Sequence, residues 1–125
     1  MDTRIRFIIV GLLLVVSSLQ VKAQKKVYST TDEVAEASAK VFIELMQPEG
    51  DLYKLKKDYQ ITGVYIMDIS VGDKGRIVSV FSVNREEGSV DFQNKLRYSL
   101  MERKLGYKTV KGKRFKFRYK FNFNK

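Results

Sequence analysis

The chain has 125 residues, a formal net charge of +10, and no His, Cys or Trp. Without His or Cys, Ser-His-Asp and Cys-His nucleophilic centres are excluded, as are the usual zinc and copper sites and any disulfide. About 100 residues beyond the N-terminal leader are enough for one domain standing on its hydrophobic core.

Arg4 and Arg6 precede a short apolar run over residues 7–19, and Val21-Lys22-Ala23 offers a cleavage site before Gln24. This is the pattern of a secretory signal, with residues 1–23 removed between Ala23 and Gln24. The alternative is a retained anchor, against which the run is shorter than the roughly 20 apolar residues a spanning helix needs. The expected location is therefore the periplasm or the exterior, with residues 24–125 forming a single α+β domain.

Residues 24–29 are polar and read as loose. Thr30 as N-cap and Glu33 three residues on form a capping-box pattern, and Asp32 and Glu33 suit the positive end of a helix dipole. Val34, Ala37, Val41, Phe42 and Leu45 then recur at helical spacing, and Pro48 and Gly50 end the helix near Met46. Residues 51–60 fit a short helix through Leu52, Leu55 and Tyr59, but also a strand or an ordered loop.

In residues 63–71, Tyr65, Met67, Ile69 and Val71 share one face, while Val64 and Ile66 make the start apolar on both faces, as in a central strand. Gly72-Asp73-Lys74-Gly75 predicts a tight turn, residues 76–83 the returning strand, and residues 84–88 a loop. Ser89 caps a predicted helix over residues 90–104, with Phe92, Leu96 and Leu100 on one face, Met101 beside them, and Gly106 near its C-cap. Lys111-Gly112-Lys113 is a turn. Residues 114–123 alternate strictly: Phe115, Phe117, Tyr119, Phe121 and Phe123 on one face, Arg114, Lys116, Arg118, Lys120 and Asn122 on the other. Such a run fits a half-buried strand and is poorly compatible with a helix. The expected architecture is a two-layer α+β fold: a three-stranded antiparallel sheet (hairpin, helix, closing strand) packed against one helix, plus an additional N-terminal helix.

Charge is concentrated at one end. Residues 103–125 hold ten basic side chains and no acidic one. That is either a surface for an anionic partner or a solvated strand face whose cations guard a sheet edge. Carboxylates are scattered; Glu86 and Glu87 fall in a loop, and Asp68 stands alone within an apolar strand, where it can pair with a basic neighbour or lie at an exposed end. No base or nucleophile accompanies it, and the glycines of the hairpin do not form a phosphate loop. A non-enzyme without cofactor or metal is expected.

From residue 63 onward the order resembles the C-terminal domain of the TonB energy-transducer family. The resemblance rests on Gly63-Val64 and the alternating run to Val71, Asp73-Lys74-Gly75-Arg76-Ile77, Val80 and Val83, Gly88 in a polar loop, the helix bearing Leu96 and Leu100, Lys111-Gly112-Lys113, and the alternating residues 115–123. It covers residues 63–123, within a module of residues 61–125 that follows an N-terminal helix and connector over residues 24–60. The chain departs from the family in lacking an apolar, proline-containing stretch before the first strand and a Pro-rich spacer; Pro48 is its only proline.

The resemblance implies strand addition: a sheet edge offered to an extended segment of an envelope or outer-membrane protein. The residues it points to are Arg114, Phe115, Lys116, Phe117, Arg118, Tyr119, Lys120 and Phe121. An alternative reading of the basic strand is binding of anionic envelope lipid or polysaccharide, and a third is homodimerisation through the same edge. Nucleic acid is allowed by charge alone but not by export.

Overall fold

The computed structural model describes residues 27–124. The expected signal segment and its Ala23/Gln24 junction lie outside the described residues. In chain order the elements are β1 (Val27–Tyr28), α1 (Thr31–Leu45), α2 (Asp51–Tyr59), β2 (Val64–Val71), a short 3-10 turn (Asp73–Gly75), β3 (Ile77–Glu86), α3 (Val90–Leu100), β4 (Lys108–Thr109) and β5 (Phe115–Asn122). β2 is the middle strand of a three-stranded antiparallel sheet, β3-β2-β5, and β1 and β4 form a separate parallel pair. The fold is α+β, with α1 over β5, α3 over β3, and α2 in contact with both helices.

Local chemistry explains most of these elements. Thr30 Oγ1 accepts from the Glu33 N–H at 3.2 Å, and Glu33 Oε1 accepts from Thr30 Oγ1 and from the Ser29 N–H, so the start of α1 is capped as its sequence predicts. Ser89 caps α3 in the same way, accepting from the Phe92 N–H. In the β2–β3 turn Lys74 and Gly75 both have positive φ, a conformation glycine adopts without steric penalty.

Tyr65, Met67, Ile69 and Val71 of β2 are fully buried and meet Phe115, Phe117 and Phe121 of β5 on the helix side of the sheet. Phe42 of α1, also fully buried, sits among the β5 rings, with centroids 4.9 Å from Tyr119, 5.1 Å from Phe121 and 6.5 Å from Phe117. Leu52 of α2 and Leu96 and Leu100 of α3 join this core, as do Val34 of α1 and Ile77 and Val80 of β3. Two polar side chains are buried with partners: Ser38 Oγ donates to Val34 O and shares a 2.6 Å hydrogen bond with the Tyr107 hydroxyl, and Thr109 Oγ1 donates to Gly72 O. Burial pushes the Tyr107 phenol above its ordinary range despite the Ser38 bond.

Several expectations are corrected. Residues 27–28 are not loose: they pair in parallel with Lys108–Thr109, and Tyr28 packs edge-on against Tyr107. For residues 51–60, left open between helix, strand and loop, the structure takes the helix (Asp51–Tyr59), with Leu52 buried and Gln60 ending it in the left-handed region. β3 continues to Glu86, through most of the predicted 84–88 loop, because β2 is long enough to pair with Asn84, Arg85 and Glu86. α3 stops at Leu100 rather than residue 104: Met101 caps it with extended ψ, and the next residues bond to β3 instead, Glu102 N–H to Ile77 O and Ile77 N–H to Arg103 O. Gly106, with φ of 84°, is therefore remote from the helix end. Among the described residues no helix is long and apolar enough to cross a membrane.

Replacing Phe42 with Ala removes the ring that fills the space between α1 and β5. We expect a loss of about 3–5 kcal/mol, the usual range for truncating a buried Phe, read as a lower urea midpoint at an unchanged denaturant slope.

Candidate functional site

The two edges of the sheet differ. On β3 the register with β2 slips twice, passing over Val78 and over Val83, so the strand is bulged at both places. Over residues 77–80 its outer side is also occupied, whereas residues 81–86 are exposed. Ile77 exchanges bonds with Glu102 and Arg103, Arg76 bridges to Lys104, and Arg97 Nε donates to Val80 O at 3.0 Å. Bulges and covering segments are the means by which sheets close an edge to further pairing.

β5 has neither device. All 8 of its residues pair with β2 in unbroken register, from Val71 opposite Phe115 to Val64 opposite Asn122. The Phe123 N–H donates to Gly63 O at 2.9 Å, which sets the phase of the ladder. By antiparallel alternation, the backbones of Phe115, Phe117, Tyr119 and Phe121 face β2, and those of Lys116, Arg118, Lys120 and Asn122 face outward from the sheet. Among the described residues no segment bonds to that outer side.

The side chains follow the predicted split. Phe115, Phe117 and Phe121 are buried and Tyr119 is half-buried, while Arg114, Lys116, Arg118 and Lys120 are exposed on the opposite face. Asp68 projects onto that exposed face from β2, opposite Arg118. Arg118 Nε donates to its Oδ1 at 2.9 Å and Nη2 to its Oδ2 at 3.4 Å, with Lys116 Nζ 3.9 Å away. Asp68, the one acid of β2, is thus a cross-strand partner in a non-hydrogen-bonded pair, the closer of the two antiparallel pair types. The Arg118 hydrogen bond holds the Asp68 carboxyl below the usual carboxylate range, and Asp68 in turn raises Arg118.

Beside the edge, on its helix side, lies a groove of about 440 Å³ lined by Ile43, Met46 and Gln47 of the α1 end and by Tyr119, Lys120, Phe121 and Asn122. Ile43 is 54% exposed there. Sequence reasoning singled out the β5 residues but not Ile43 or Met46. Ile43 falls off the buried stripe of α1, and an exposed apolar residue next to a packing face was the only signal available.

Among the described residues no group of three or more His, Cys, Asp or Glu side chains is placed to hold a metal ion. No family model, no curated protein and no solved structure matches this chain.

A carboxyl whose pKa is lower in the folded chain than in the unfolded one contributes stability above its unfolded value, and that contribution fades as pH falls through the folded value. Titrating Asp68 by NMR should give a midpoint below that of a free Asp, about 3.9. Arg118→Gln should move it upward, and an unchanged midpoint would show that the pair does not persist in solution.

Proposed function

We propose that this protein is a non-catalytic binding module that takes an extended segment of another envelope protein as an additional strand on β5. The observation that carries this reading is the asymmetry of the sheet: β3 is bulged twice and covered over residues 77–80, whereas β5 presents an unbroken ladder of outward backbone groups along its whole length. Main-chain bonds to Lys116, Arg118 and Lys120 would supply affinity, and side chains of the added strand would alternate between two environments. One set would enter the groove of Ile43, Met46 and Tyr119; the other would lie along the cations of the exposed face. The partner strand that fits is therefore apolar on one side and acidic on the other. The similarity of residues 63–123 to the TonB C-terminal domain points the same way, and the leader-like residues 1–23 support an envelope location.

The test uses backbone chemistry. A short peptide of alternating Val and Glu should shift the amide signals of Lys116, Arg118 and Lys120. Lys120→Pro removes an outward N–H while leaving the β2-facing groups in place, a position where sheets tolerate proline. We expect this variant to stay folded and to lose peptide binding, whereas Lys120→Gln keeps it. Peptide shifts confined to other surfaces, or binding unaffected by Lys120→Pro, would refute strand addition at β5.

A further inference from the structure

A second basic feature lies at the turn end of the sheet. The β2–β3 turn and the turn before β5 come together around a cleft of about 490 Å³, lined by Gly72, Asp73, Lys74, Arg76, Val78, Gly112, Lys113 and Arg114. The cleft thus gathers four cations, Lys74, Arg76, Lys113 and Arg114, from two segments distant in sequence. None of the four has an ion-pair partner among the described residues.

The frame that carries them is fixed. Asp73 Oδ1 accepts from the Gly112 N–H at 3.0 Å, Thr109 Oγ1 donates to Gly72 O at 2.9 Å, and the Gly72 N–H donates to Arg76 O. Leu105 N–H to Gly75 O ties the same turn to the segment after α3. Two turns are thereby latched with their cations gathered on one cleft. Asp73 is the one acid in the lining, and its Oδ1 is directed to a backbone donor. Unpaired like charges held together raise the local potential and favour a multivalent anion. Two guanidinium forks suit phosphate oxygens, with the lysines adding point charges.

We propose that this cleft is a binding site for a phosphate-bearing anion, a diphosphate or phosphomonoester group. It is separate from the β5 edge, and it does not depend on strand addition.

The test titrates the full chain with pyrophosphate at low ionic strength and follows backbone amides. Shifts should concentrate at Gly72, Lys74, Gly112 and Lys113. Arg76→Gln combined with Arg114→Gln should weaken binding by about tenfold or more, since two charge-assisted contacts are lost. Both arginines are exposed, and amide dispersion checks that the variant remains folded. Asp73→Asn keeps an acceptor for the Gly112 N–H but removes the repelling charge, and should tighten binding severalfold. Lys116→Ala with Lys120→Ala, on the exposed strand face, should leave it nearly unchanged. Equal shifts with sodium chloride at matched ionic strength, or equal losses in the Lys116/Lys120 variant, would overturn the proposal.

The phosphate source is separated by sedimentation with phosphatidylcholine vesicles containing phosphatidic acid. Weaker vesicle binding by the double arginine variant than by the unaltered chain identifies a lipid headgroup. Pyrophosphate binding lost in the variant, with vesicle binding unchanged, identifies a soluble phosphate compound. No effect of the variant on either probe overturns the site.

Discussion

The structure depends on the seating of Phe42 against the aromatic row of β5. An outer strand of a three-stranded sheet is held by one ladder and one packed face. Here β2 supplies the ladder and α1 the packing, with Phe42 in contact with three successive inward rings. Because those interactions lie on the β2 side and the helix side, the outward backbone groups and the cationic face are left free without loosening the strand. The same seating brings the end of α1 beside β5 and so forms the groove at Ile43 and Met46.

The charges on the free face act on what can pair there. A second copy of β5 laid alongside would bring the row of Lys116, Arg118 and Lys120 against the same row, and like charges opposed across strands destabilise pairing. Asp68 relieves this only within the chain, since Arg118 already occupies it. A strand carrying carboxylates meets no such penalty. Edge protection and the proposed partner choice are thus compatible: cations that oppose self-pairing would also select among incoming strands.

Much of the sheet was legible in the residues because its signals are local. The alternation from Arg114 to Phe123 defined β5 and both of its faces, the doubly apolar start of residues 63–71 marked β2 as central, and Thr30, Glu33 and Ser89 marked helix starts. What stayed hidden depends on contacts distant in sequence. Two-residue strands such as β1 and β4 carry no periodicity. The end of α3 is set by hydrogen bonds from Glu102 and Arg103 to Ile77, which outcompete another helical turn. Asp68 was recognisable as an anomaly, but its partner required the β2–β5 register. Half of the edge site, the β5 residues, was visible, while Ile43 and Met46 join it only through the placement of α1. The turn cleft was invisible for the same reason, since Lys74 and Arg76 meet Lys113 and Arg114 only once the turns are latched.

β5 links the two proposed sites. The residue that leads into it, Arg114, lines the cleft, and the strand's outward backbone forms the edge from Lys116 onward. The sites nevertheless draw on different physics. Binding in the cleft rests on exposed cations and weakens steeply as salt shortens the screening length, from about 10 Å at 0.1 M to about 3 Å at 1 M. Strand addition rests mainly on neutral main-chain bonds and on filling an apolar groove, neither of which salt screens; only the contribution of Lys116, Arg118 and Lys120 is lost. Salt therefore separates the two, removing occupancy of the cleft while strand pairing at the edge retains its backbone and groove components.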